Sequence, residues 1–197
     1  MSQTPKILAF AGSARTDSFH KKLVKIAAKG AAEAGAETTF IDLRDFPMPI
    51  YDQDLQEASG FPRTALQFKQ ILKEHQGFLI ASPEYNSSLT ALLKNAIDWA
   101  SRPEPGEPPL GLTCFRGKVA AIMSTSPGGL GGIRGLVHLR AILGNIGTIV
   151  LPDQKTIPNA YDMFDESGQL KDTKQQASVE ALGAKLTELV AKLHGGV

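Results

Sequence analysis

The chain has 197 residues, 42% of them apolar, with 21 Lys and Arg against 20 Asp and Glu for a formal charge of +1. That describes one globular domain over residues 1–197, and it lacks the basic excess of a dedicated nucleic-acid binder, so any anionic partner is held locally. The single cysteine, Cys114, excludes an internal disulfide and a thiolate metal cluster and fits a reducing compartment, the cytoplasm by default. Lys6–Ala11, KILAFA, is a short continuous apolar run, which predicts a strand covered on both faces. After GSARTDS, the segment Phe19–Ala34 sets Leu23, Ile26, Ala27, Gly30 and Ala34 at helical spacing, with Ser18 placed to cap it. Thr38–Leu43, Gly77–Ser82, Gly117–Ser124 and Gly147–Pro152 predict four more buried strands. Phe61–Glu74, Leu89–Ser101, Ile133–Leu143 and Lys171–Leu193 each predict a helix with one apolar face.

Strands alternating with helices imply an α/β fold: a parallel sheet with right-handed crossovers and helices on both sides. Five strands and no sixth favour the flavodoxin-like three-layer sandwich, strand order 2-1-3-4-5. Arg44–Gly60, Arg102–Arg116 and Asp153–Gln169 fit no regular element, and loops beyond about 12 to 15 residues are either surface excursions or the walls of a site or subunit contact. No run reaches the roughly 18 apolar residues of a membrane span, and the opening MSQTPKILAFAGSAR does not read as a signal peptide.

In such a sheet a ligand lies beyond the carboxyl ends of the strands, where the winding reverses. The first strand leads into Gly12-Ser13-Ala14-Arg15-Thr16-Asp17-Ser18, which combines a glycine, hydroxyls and one guanidinium ahead of a helix start. That chemistry suits a phosphate monoester, although a turn and a capped helix would use the same letters. The loop matches neither GxxxxGK[ST] nor GxGxxG. The third strand ends in Ser82-Pro83-Glu84-Tyr85-Asn86-Ser87-Ser88, where Tyr85 offers a flat surface and Asn86 offers donors and acceptors for a heterocycle edge. Glu84 is either a general base or a solvated loop charge, and Trp99 belongs to the core or a subunit interface. The fourth strand ends in Ser124-Thr125-Ser126-Pro127-Gly128-Gly129-Leu130-Gly131-Gly132, nearly free of side chains, so that backbone can touch a flat ligand or simply turn. The four histidines show no metal-binding spacing, and no GxSxG elbow follows a strand.

GSARTDSFHKKL, SPEYNSSLTALLKNAIDW and STSPGGLGG, in this order, resemble the NADPH-dependent FMN reductase family of flavodoxin-like proteins, which includes quinone, chromate and azo-dye reductases. The likeness spans roughly residues 5–195, and PEYN followed by LKNAIDW is its most specific part. By that resemblance Ser13, Arg15, Ser18 and His20, with the flanking Gly12 and Phe19, surround the FMN phosphate. Pro83, Glu84, Tyr85 and Asn86 border the isoalloxazine ring, and Ser124, Gly128 and Gly129 complete the pocket. The resemblance also implies NADPH, or NADH, as donor, quinones, chromate or azo compounds as acceptors, ping-pong kinetics, and a homodimer or homotetramer. No catalytic residue is demanded, because the hard chemistry belongs to the cofactor.

His20 departs from the asparagine common in the family; if protonated it would make FMN affinity fall as pH rises through its titration. The Pro-rich Asp45–Leu55 segment is a candidate to reach a neighbouring subunit's pocket. Arg102 and Arg116 are the candidates for a dinucleotide 2′-phosphate. The alternatives are a flavodoxin-type electron carrier, against which the near-neutral charge argues, and a non-catalytic nucleotide-binding oligomer on the same fold.

Overall fold

The computed structural model describes residues 4–195. Its order is β1 (Lys6–Ala11), α1 (Phe19–Glu33), β2 (Glu37–Asp42), a single 3-10 turn (Leu43–Asp45), α2 (Gln53–Ser59), α3 (Arg63–Glu74), β3 (Gly77–Ala81), α4 (Ala91–Ala100), β4 (Val119–Thr125), α5 (Ile133–Asn145), β5 (Ile149–Ile157), α6 (Ala160–Met163) and α7 (Thr173–His194). The five strands pair in parallel in the order β2-β1-β3-β4-β5, as the apolar runs predict.

Alternation along each strand sorts the core into two halves. Ile7, Ala9, Leu79, Ala81, Ala121 and Met123 face α1 and α7, while Leu8, Phe10, Phe78, Ile80, Ala120 and Ile122 face α3, α4 and α5. The first half depends on two glycines. A Cβ on Gly30 would stand 2.0 Å from the Glu180 carbonyl oxygen, and one on Gly183 would stand 1.9 Å from that of Ala27, so α1 and α7 touch backbone to backbone. No helix among the described residues is long and apolar enough to cross a membrane.

Two of the three segments expected to be irregular contain structure. Arg44–Gly60 holds α2, which buries no side chain and therefore lacks an apolar stripe. Asp153–Gln169 holds α6 and the second half of β5, a strand that continues past Pro152. Ala120 faces Val150 but Ile122 faces Gln154, so β5 bulges around Pro152, which has no amide to donate and stands on an edge strand. Arg102–Arg116 stays irregular and is held by Glu104 and Glu107, which lie 2.6 and 2.7 Å from the Lys73 ammonium.

The LKNAIDW stretch forms most of α4, and its polar members clamp the Pro-rich segment. Asn95 Oδ1 accepts the Tyr51 N–H at 2.8 Å, and the Asn95 amide and the Trp99 indole each donate to the Pro49 carbonyl at 2.8 Å. Trp99 is fully buried, with Tyr51 and Phe61 packed edge-on against it. The backbone of residues 49–51 is thus tied to α4, while Ile50 projects into solvent.

Candidate active site

The carboxyl ends of β1, β3 and β4 open onto a cavity of about 140 Å³. Its walls are Ser13, Arg15, Ser18, Phe19 and His20 from the first loop and α1; Pro83, Glu84 and Tyr85 from the second; Thr125, Ser126 and Pro127 from the third; and Ala160 and Tyr161 of α6.

The first loop leaves the sheet through Gly12, whose N–H donates to the Ala81 carbonyl at 2.9 Å and whose carbonyl accepts the Thr90 hydroxyl at 2.7 Å. A Cβ here would lie 2.9 Å from that of Leu93, so Gly12 serves the packing of β1 against α4. Ser13 Oγ accepts the Arg15 N–H at 3.3 Å, and Ser18 Oγ caps α1 by accepting the His20 N–H at 3.2 Å. Both serines are buried, whereas Arg15 is exposed, and its guanidinium has no carboxylate or hydrogen-bond partner among the described residues. An unmatched cation therefore stands beside the positive end of a 15-residue helix. Asp17 does not cancel it, because Lys22, 2.7 Å away, bonds its carboxylate and lowers its pKa.

His20 is neutral in this arrangement. Burial, aided by the Arg15 charge, pushes its pKa down to about 4. Its Nε2 also receives the Thr125 N–H at 3.3 Å, a bond that an imidazolium cannot accept. Without a phosphate beside it, His20 therefore offers an acceptor to the β4 backbone and carries no charge of its own.

In the second loop Tyr85 and Ser88 exchange backbone hydrogen bonds at 2.9 and 3.0 Å across a two-residue turn. Asn86 and Ser87 take φ of 52° and 65° at its tip. Tyr85 keeps 58% of its surface exposed beside the cavity. Glu84 is neither solvated nor free. One oxygen accepts the Gly135 N–H at 3.0 Å, the other lies 3.3 Å from Arg134 Nε, and the side chain is only 12% exposed.

In the third loop Ser124 is fully buried and donates to the Ser82 carbonyl at 2.7 Å, behind the cavity wall. Gly132 packs on it, since a Cβ there would stand 2.1 Å from Ser124 Oγ. Gly128 and Gly129 are exposed, and added Cβ atoms would meet nothing nearer than Ser126 Oγ at 3.9 Å.

Of the residues expected from the sequence, Ser13, Arg15, Ser18, Phe19, His20, Pro83, Glu84 and Tyr85 gather on the cavity, while Gly12, Asn86, Ser124, Gly128 and Gly129 flank it. Thr125, Ser126 and Pro127 follow directly on Ser124 and were within reach of the same motif. Ala160 and Tyr161 were not, because they come from the segment read as irregular. Tyr161 packs edge-on against Phe19 with ring centroids 5.4 Å apart, and Ala160 is tied to the third loop by its N–H to the Ser126 carbonyl at 3.0 Å. Arg102 and Arg116 line none of this. They follow the C-terminus of α4 and precede β4, at the opposite rim of the sheet.

The model of the NADPH-dependent FMN reductase family matches residues 5–162. The chain belongs to this family. It is 34% identical, over 99% of its length and the whole of the relative, to the NAD(P)H-dependent FMN reductase of Pseudomonas aeruginosa. It is 40% identical to a 2-hydroxy-1,4-benzoquinone reductase of a Burkholderia species, over 82% of this chain and 80% of that one. Among solved structures, the flavoenzyme NAD(P)H:(acceptor) oxidoreductase FerB of Paracoccus denitrificans superposes with a TM-score of 0.78 at 28% identity, covering 98% of this chain and all of that one. Membership makes the chain an oxidoreductase that works with FMN and NAD(P)H.

The residues present fit that cofactor. Two serine hydroxyls, an unpartnered guanidinium and a helix start are donors for a phosphate monoester, and Pro83, Tyr85 and Pro127 offer flat apolar contact for a ring. The cavity of about 140 Å³ is smaller than the roughly 300–1,000 Å³ that encloses a whole ligand, so these walls hold only part of one.

Proposed function

We propose that this chain passes electrons from NAD(P)H to quinones through FMN held at this cavity. Ser13, Arg15, Ser18 and the first amides of α1 bind the phosphate. Pro83, Tyr85 and Pro127, with Asn86, Gly128 and Gly129 on the rim, orient the ring. Bound FMN supplies the redox chemistry: it accepts hydride from the nicotinamide and returns electrons to the acceptor. Because these walls hold only part of a ligand, donor and acceptor would reach the same side of the cavity in turn, which would give ping-pong kinetics. Glu84 is committed to the backbone of α5 and His20 to that of β4, so neither is assigned proton transfer.

The observation that carries this reading is Arg15, whose guanidinium has no partner among the described residues and stands at a helix start within the cavity. Quinone as the first acceptor is supported by the benzoquinone reductase relative and by quinone reductases named among the others, including that of Escherichia coli at 31% identity. Chromate and azo compounds are further acceptors suited to the same side of the cavity. The enzyme acts in the cytoplasm as a homo-oligomer.

The test is anaerobic titration of the FMN-loaded protein with NADPH and with NADH, followed by benzoquinone, and then steady-state kinetics with both substrates varied. The reading expects bleaching by the nicotinamide, recovery of the flavin bands with quinone, and parallel double-reciprocal lines. A flavin that stays oxidised overturns it, and intersecting lines overturn the shared-face mechanism.

A further inference from the structure

A second cavity, of about 350 Å³, lies on the same rim and adjoins the first through Ser18. It sits between the start of α1 and the end of β2, and Lys21, Lys22 and Lys25 of α1 line it opposite Asp42. Its charges do not balance. Lys21 is paired with Asp42 at 2.5 Å and Lys22 with Asp17 at 2.7 Å. Lys25 has no carboxylate within ion-pair distance among the described residues, and its ammonium stands 4.5 Å over the Phe40 ring. Arg44 likewise lacks one, and its guanidinium donates at 2.5 Å to the hydroxyl of Thr16, a wall residue. Two cations at this mouth are therefore unmatched, and neither touches the first cavity.

We infer that this second cavity is the subsite for the adenosine 2′-phosphate of NADPH. The inference rests on the reading of the first cavity as the FMN site, because that reading fixes where the nicotinamide lies. The ring end of the first cavity is at β3 and the lysine cavity is at β2, with β1 between them. Two strand intervals are about 10 Å, which a dinucleotide bridges in extended form. The 2′-phosphate is the only difference between NADPH and NADH, and as a monoester it carries roughly −1.5 to −2 charges at neutral pH. Lys25 and Arg44 are the cations free to meet it. Arg102 and Arg116, at the far rim, are not.

Calorimetric titrations with adenosine 2′,5′-bisphosphate, 5′-AMP and inorganic phosphate test this, on protein with and without FMN, for wild type and the Lys25→Ala/Arg44→Ala double variant. Wild type should bind the bisphosphate more tightly than 5′-AMP or inorganic phosphate. The double variant should lose about tenfold or more of that preference, the scale of a hydrogen bond to a charged group, while retaining FMN and its affinity for 5′-AMP. Its KM should rise for NADPH and hold for NADH. Equal binding of bisphosphate and 5′-AMP by wild type overturns the inference, as does an equal loss of both in the variant or inorganic phosphate competing as well as the bisphosphate. Failure of the FMN reading looks different: the protein stays colourless, and the bisphosphate preference is still decided on the cofactor-free sample.

Discussion

The Glu84 carboxylate and the backbone N–H of Gly135 meet at 3.0 Å, joining the loop after β3 to the first turn of α5. The helix needs this partner, because Gly132 at its N-cap has no side chain to offer and its first turn holds no acidic residue. Glu84 is thus a cap supplied from another loop, and it ties one cavity wall to α5. Glu84→Ala should lower stability by about 1 to 2 kcal/mol, the scale of a lost N-cap, and weaken FMN binding. Glu84→Gln keeps an acceptor for Gly135 and should lose less on both counts. Thermal melts and flavin titrations of the two variants check this; equal losses would mean that the charge facing Arg134, and not the cap, is what matters.

His20 gives a signed pH prediction. Its pKa is depressed to about 4 in the fold against an ordinary 6.5, so the unfolded chain takes up a proton first as pH falls. Its contribution to stability is present above pH 6.5 and declines as pH drops towards 4. Melting of the FMN-free protein from pH 7.5 to 4 should show this loss, and His20→Asn should lack that part of it. Between pH 5.5 and 8.5, where His20 is neutral, wild type and His20→Asn should share one profile of FMN affinity against pH. A wild-type affinity that climbs more steeply than the variant's towards pH 5.5 would show His20 charged beside the phosphate.

Much of the architecture was legible because buried strands and one-sided helices leave continuous or periodic apolar patterns. KILAFA and GFLIA announce β1 and β3 in this way. The parts not legible lack such patterns. The far half of β5 reads DQKT because it is a half-exposed edge, and α2 reads QDLQEAS because nothing in it is buried. The phosphate-type loop was visible as a local string from Gly12 to Ser18. The partner of Glu84 was not, since Gly135 is 51 residues away and accepts no side-chain rule of spacing. Tyr161 reaches the cavity only because α6 docks on Ser126, a tertiary fact with no local signal.

One substitution type should act with opposite signs at two glycines. Gly183→Ala drives a methyl into the Ala27 carbonyl, 1.9 Å away in backbone that cannot yield cheaply, and should cost about 3 kcal/mol or more. Gly144→Ala, in the last turn of α5 with open space around it, should stabilise by about 0.5 to 1 kcal/mol. Urea unfolding of both variants measures the difference. Equal small effects would mean that α1 and α7 do not pack backbone to backbone.

Asn95 should matter to the Pro-rich segment more than to the flavin. Asn95→Ala removes an acceptor from the Tyr51 N–H and a donor from the Pro49 carbonyl, at a cost of about 1 to 3 kcal/mol. Limited proteolysis should then cut between residues 46 and 60 sooner, with FMN affinity close to wild type. Unchanged proteolysis would leave Trp99 as the sole anchor.

The account turns on a phosphate held by Arg15 and the start of α1, and the most direct measurement is equilibrium titration of the cofactor-free protein with FMN and with riboflavin, which lacks the phosphate. Wild type should bind FMN far more tightly than riboflavin, and Arg15→Ala should weaken FMN by roughly ten- to a hundredfold while leaving riboflavin unchanged. Equal affinity of wild type for the two flavins, or an FMN affinity untouched by Arg15→Ala, would contradict it.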